Sequence, residues 1–233
     1  MSQFRPFRLL RLAFLSALLA IPLPVGAETF RAMLGGRTLG TISFDAAGSG
    51  AGRTARLLTN LNNTPLGVGD GTFEALSESV SANGRRLRQY TGTSRSARKS
   101  RDIAVLLDGG RVIQTTVSPA DEQTPLSDAA KVPAGVIDLA QGFGRIVDSQ
   151  GCPQGFRMYD GRRVIQVSPG SAETKDDLLT CSMSYNVVAG PGHLSPFRFT
   201  NLSLDLTYDA RPGRTGLLRA VIRTGLFALT LQR

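Results

Sequence analysis

Cys152 and Cys181 are the only cysteines in the 233-residue chain and its clearest candidates for chemistry. A redox dithiol uses Cys-x-x-Cys spacing, which this pair lacks. A zinc site needs further ligands, and His193 is the only histidine that could help. In an oxidising compartment the two cysteines would close a disulfide. A closed loop of about 30 residues contributes roughly 3.5 kcal/mol in the chain-entropy picture.

The other candidates are sparse. Ser195 follows close after His193, but no nucleophile-elbow pattern surrounds it, so His193 reads as a loop residue. Gly48 to Gly52 lacks the Gly-Lys-Ser/Thr ending of a phosphate loop. Asp121-Glu122 and Asp176-Asp177 are adjacent acidic pairs in loops. Such neighbours read as solvated rather than as an acid–base pair across a substrate. Asp160-Gly161-Arg162-Arg163 has two readings. In one, Asp160-Gly161 is a hairpin turn and the arginines alternate faces of the next strand. In the other, Arg162 or Arg163 grips a carboxylate or phosphate through its fork of donors. No nucleophile, base and orienter come together, which implies a non-enzymatic protein with no catalytic residues, no metal and no cofactor.

The N-terminus sets the compartment. Arg5, Arg8 and Arg11 precede the apolar run Leu12 to Ile21, and Pro22 and Pro24 break it. Val25-Gly26-Ala27 then offers small residues before Glu28. These are the three parts of a cleaved signal peptide over residues 1–27, and they imply a periplasmic mature chain of residues 28–233. Cleavage would lower the formal net charge from +9 to +6, since the leader holds three arginines and no acid. After export, anionic lipid surfaces become the acidic partners to consider. Arg85, Arg86, Arg88, Arg95, Arg98, Lys99 and Arg101 are the segment that could dock on one. Only Tyr90 interleaves with them, so a stacking platform for nucleic acid is not supported.

Short alternating segments and frequent turns must position these residues. Gly35-Gly36, Asp70-Gly71, Asn83-Gly84, Asp108-Gly109, Asp160-Gly161 and Pro212-Gly213 mark turns. Between them, Leu202, Leu204, Leu206 and Tyr208 share one face of a strand, as do Leu179, Cys181, Met183, Tyr185 and Val187. About eleven or twelve strands of this kind predict an antiparallel meander in a single domain. Pro133 to Asp148 breaks the rhythm, with Val136, Leu139, Phe143, Ile146 and Val147 at helical spacing. Gly142 and Gly144 should weaken that helix by about 1 kcal/mol each. Ser118 to Lys131 reads as a long polar loop or lid.

The expected fold is mainly β, an antiparallel meander forming an open or incomplete β-barrel around one α-helix. Phe143 would enter its concave face. Ile165, Val167, Leu179, Met183 and Tyr185 would line an interior that holds a lipid or another apolar molecule. The alternative is a structural or interaction protein whose interior is filled by its own side chains.

One cassette resembles a known family. Cys152, Tyr159-Asp160-Gly161-Arg162-Arg163, Cys181, Tyr185 and Ala189-Gly190 are similar to the bacterial envelope family of domain of unknown function 3108. Gly135-Val136-Ile137-Asp138 resembles its helical segment, and Leu39-Gly40 and Thr64-Pro65-Leu66-Gly67 fit its looser early pattern. The chain departs from the pattern after Gly190, where Pro191 to Pro196 is brief. The resemblance implies an exported protein with a fold similar to the outer-membrane lipoprotein carriers.

Overall fold

The alternating segments become strands whose neighbours in sequence are neighbours in space. The computed structural model describes residues 27–67, 69–97, 99–193, 198–211, 216–225 and 227–233. The apolar leader, Arg98, Ser195 and Pro212-Gly213 lie outside the described residues. Among those described, the strands are β1 (Glu28–Leu34), β2 (Arg37–Ala47), β3 (Thr54–Leu61), β4 (Gly71–Ala82), β5 (Arg85–Arg95), β6 (Ser100–Asp108) and β7 (Arg111–Ser118). Then come β8 (Val136–Asp138), helix α1 (Leu139–Val147), β9 (Phe156–Tyr159), β10 (Val164–Lys175), β11 (Leu178–Ala189), β12 (Asn201–Asp209), β13 (Leu217–Thr224) and β14 (Phe227–Gln232).

All fourteen strands form one sheet in the order β7-β6-β5-β4-β3-β2-β1-β14-β13-β12-β11-β10-β9-β8. Its pairs are antiparallel except β8 with β9. The sheet curls into a nearly closed barrel around α1, as the alternation predicts. The first and last strands pair at its centre, with Arg31 opposite Gln232. The free edges β7 and β8 approach each other. Gly110 O accepts hydrogen bonds from Gly135 N at 2.9 Å and Val136 N at 3.1 Å. Tyr159 on β9 donates to Leu126 O at 2.5 Å, which leaves its oxygen to accept from Thr115 on β7 at 3.2 Å.

The structure departs from two expectations. The helix starts later than Pro133, because Val136–Asp138 pairs with β9 as a strand. Asp138 ends that strand and caps the helix, accepting from Gln141 N at 2.9 Å and from Ser77 Oγ at 2.6 Å. Burial raises the Asp138 carboxyl's pKa, and the Ser77 and Gln141 hydrogen bonds oppose the rise. Ser118 to Lys131 is not a free lid. Three short 3-10 turns run through it, and Leu126 and Glu122 are buried. Phe143 does pack against Phe44 of the inner face, with ring centroids 5.6 Å apart, although it is only partly buried. The buried line of α1 is Ala140, Gly144 and Val147, and Gly142 is also covered.

The two glycines lower intrinsic helix propensity, yet their missing side chains are what let α1 seat. A Cβ at Gly142 would stand 2.0 Å from Met158 Sδ, and one at Gly144 would stand 2.8 Å from Phe44 Cζ. The helix therefore lies directly on the sheet. Cys152 in the following loop is disulfide-bonded to Cys181 on β11, with Cα atoms 5.5 Å apart, which ties the helix end of the chain to the wall. Alanine at position 142 should gain about 1 kcal/mol of propensity and lose about 1–3 kcal/mol to overpacking. We expect Gly142→Ala to lower the urea midpoint. An unchanged or higher midpoint would show that Met158 yields and that the close approach is not required.

Candidate ligand-binding site

Paired residues on neighbouring strands point to the same face, so the register identifies the inner wall row by row. Phe44, Leu57, Ala75, Gly92, Ile103 and Val117 form one row across β2 to β7, and all are buried. Phe44 in this row is capped by α1. One step along the strands, Phe30, Ile42, Thr59, Phe73, Ser94 and Arg101 form the next row across β1 to β6. Phe30 is buried, but Ile42 and Phe73 keep exposed surface. On the other side of β1, Leu34, Leu229, Ile222, Leu204 and Met183 form a row across β14 to β11. Leu204 and Met183 are buried, whereas Leu34, Leu229 and Ile222 are partly exposed. The inner face is thus closed where α1 and β9 cover it and open toward one end around β1.

The residues expected to line the interior divide along this boundary. Met183 lies next to Tyr185 on one face, Tyr185 pairs with Val167, and Ile165 pairs with Val187, so β10 and β11 bring four of them side by side. Ile165 and Val167 have 0% exposure and Met183 3%. A side chain with no surface reachable by a water molecule borders no cavity, so Ile165 and Val167 are filled core, and Met183 is buried beside them. Leu179 lies toward the opposite end, paired with Tyr208, and is partly buried. Phe143 belongs to the helix covering. Sequence reasoning missed Leu34, Ile42, Phe73, Ile222 and Leu229, because nothing local marks which inner residues stay uncovered.

The polar residues of the cassette gather beside the open end. Asp160 Oδ1 accepts from Arg162 N at 3.0 Å and Arg163 N at 2.9 Å, which closes the turn between β9 and β10. Gly161 is required there, because a Cβ would stand 2.3 Å from Ile103 Cγ2. The two arginines then diverge. Arg162 Nε donates to Glu122 O at 2.7 Å, and its Nη2 lies 3.3 Å from Glu122 Oε2. Arg163 is 7% exposed. Its Nε lies 2.9 Å from Asp160 Oδ2 as an ion pair, although not aligned as a hydrogen bond.

His193 lies in the loop between β11 and β12, as its isolation suggested, but it is partnered there. Arg163 Nη1 lies 2.8 Å from its Nδ1, and Tyr185 Oη lies 2.8 Å from its Nε2. A guanidinium can only donate, so Nδ1 accepts and the neutral ring carries its proton on Nε2. That proton goes to the Tyr185 oxygen. His193 in this tautomer holds a hydroxyl in place and cannot take its proton, so the trio orients a donor rather than activating a nucleophile. Burial, then Arg163, push the histidine pKa down to about 4, with Asp160 acting against them.

Glu122 is not solvated. It is 4% exposed and pairs with Lys99, with Arg101 at 2.5 Å and with Arg162 at 3.3 Å. Burial works to raise its carboxyl, but Lys99, Arg101 and Arg162 outweigh burial and hold it below the ordinary glutamate value. The basic run does not form one stripe. Arg85 pairs with Asp108, Arg88 binds Ala51 O at 2.9 Å, and Arg95 pairs with Asp102 at 2.7 Å. Arg85 and Arg95 stand at opposite ends of β5, and Arg86 is exposed. A cleft of about 420 Å3 where β8 meets the β6–β7 turn includes Arg86, Arg88, Val136 and Gln141, away from the Ile165–Met183 core. Among the described residues, no three His, Cys, Asp or Glu side chains gather as a metal site.

No family model, curated protein or solved structure matches the chain.

A neutral, partly buried histidine makes stability depend on pH with a definite sign. Its folded pKa lies below the ordinary 6.5, so the unfolded chain binds the proton more readily. The contribution is complete above about pH 6.5 and is lost as pH falls toward about 4. The urea midpoint of the wild type should therefore fall more steeply over this window than that of His193→Gln. Equal slopes would mean that His193 titrates alike in both states.

Proposed function

We propose that this chain is an exported, non-enzymatic binding protein of the periplasm that holds an apolar molecule against the open part of its inner face. Leu34, Ile42, Phe73, Ile222 and Leu229 carry the reading, because they point inward and yet remain partly exposed, in two rows that flank the buried row of Ala32, Leu231, Ala220 and Leu206. Each square ångström of apolar surface covered there is worth about 25 cal/mol, so a matching hydrocarbon gains by occupying it. Tyr185, with its oxygen already accepting from His193, offers a positioned hydroxyl near this surface. Sites of this kind combine an apolar lining with a few placed polar groups. The disulfide suits an oxidising compartment, and β1 begins at Glu28, directly after the proposed signal-peptide cut. The resemblance of the Cys152 to Gly190 cassette to domain of unknown function 3108 supports the same compartment.

A second reading is an interaction protein with a filled interior, and the zero exposure of Ile165 and Val167 favours it. Binding of a fluorescent hydrocarbon such as diphenylhexatriene separates the two. We expect wild type to bind the probe and Leu229→Glu to weaken binding at least about tenfold with the fold retained, since a charge would face the hydrocarbon. Met183→Arg should instead cost more than about 3 kcal/mol and unfold the protein, because an unpaired charge would enter the closed core. No probe binding by folded wild type would favour the filled-interior reading. N-terminal sequencing of the exported protein should begin at Glu28, and its thiols should titrate only after reduction.

A further inference from the structure

The row from β1 to β6 changes character along its length. Phe30, Ile42 and Phe73 are apolar, with Thr59 between the last two, Ser94 is polar, and Arg101 is cationic, all on the same inner face. Phe73 and Arg101 are two strands apart, which is about 10 Å at ordinary strand spacing. Arg101 belongs to a cluster with more positive than negative charge. Lys99, Arg101 and Arg162 share the single carboxylate of Glu122, and the adjacent Arg163 is matched by Asp160. Among the described residues this leaves two positive charges in excess. Arg101 and Arg162 have side chains only 18% and 14% exposed, so solvent screens them less than it would surface arginines. Lys99, at 51%, stands at the rim where a ligand can reach it.

We infer that the bound molecule is a single-chain amphiphile of the fatty-acid class, with its chain on the Ile42–Phe73 side and its anionic head on the Lys99–Arg101–Arg162 cluster. This rests on the apolar-ligand reading and adds the charge of the ligand to it. Glu122 is the internal anion that organises the three cations, and the ligand head answers the charge that it leaves unbalanced. A guanidinium offers five donors, so Arg101 and Arg162 can serve Glu122 and a second anion together.

The test compares a fluorescent fatty acid with its methyl ester, which keeps the chain and removes the charge. Wild type should bind the acid about tenfold more tightly than the ester, the size of one charge-assisted hydrogen bond. Lys99→Gln should reduce acid affinity several-fold and leave ester affinity unchanged. Glu122→Gln removes the competing carboxylate and should strengthen acid binding, again without effect on the ester. Ester affinity and circular dichroism report any loosening of the fold in these variants. Equal affinity for acid and ester in wild type would overturn the head-group assignment while leaving the apolar site standing. Failure of both probes to bind would overturn both. Displacement of the acid by millimolar inorganic phosphate would identify a small-anion site and overturn the amphiphile.

Discussion

The close seating of α1 on the sheet is the constraint from which the rest follows. Gly142 rests on Met158 and Phe156, and Gly144 rests on Phe44. Larger residues would hold the helix away from the wall. In contact, it closes the rows through Phe44 and Met158, and the helix cap buries Asp138 against Ser77. Tyr208 on β12 donates to Ile146 O at 2.8 Å, so the opposite wall also grips the helix end. One short helix covers only part of a fourteen-stranded sheet. Beyond its cover, Leu34, Ile222 and Leu229 stay partly exposed, whereas Ala32, Ala220 and Leu231 on the same strands are buried.

The turn between β9 and β10 divides charge between two settings. Arg162 joins the cluster around Glu122 and so anchors the Ser118 to Lys131 segment. Arg163 sets the tautomer of His193 and through it the position of Tyr185. A buried ion pair is not by itself a source of stability, since desolvation offsets attraction. Its consequence here is geometric. Glu122 and Thr124, which donates to Arg162 O at 3.0 Å, hold the connecting segment across the approach of the two sheet edges. This leaves the polar groups at one end of the barrel and the apolar opening beside them.

Much of the fold was legible because it is written locally. Period-two alternation placed Leu204, Leu206 and Tyr208 on the buried face, and those residues are 5%, 1% and 2% exposed. Asp160-Gly161 read correctly as part of a hairpin turn, but Arg162 and Arg163 sit in that turn before β10 and not on the strand, and they reach different partners. The two cysteines are bonded. Asp176-Asp177, read only as a solvated pair, is the turn between β10 and β11, with positive φ at both residues. The helix start was misplaced because Val136 is apolar in either periodicity, and only pairing with β9 made it a strand.

By itself, the sequence determined the strand faces, the turns and the candidate disulfide, since each depends on residues adjacent in the chain or on the scarcity of a residue type. The tertiary structure decided the rest. Glu122 met Lys99, Arg101 and Arg162 from distant segments, and His193 met Arg163 across β10 and β11. Alternation marks which side of a strand is apolar. Whether that side is covered depends on the helix and strands that fold over it, and those contacts are made between residues far apart in the chain.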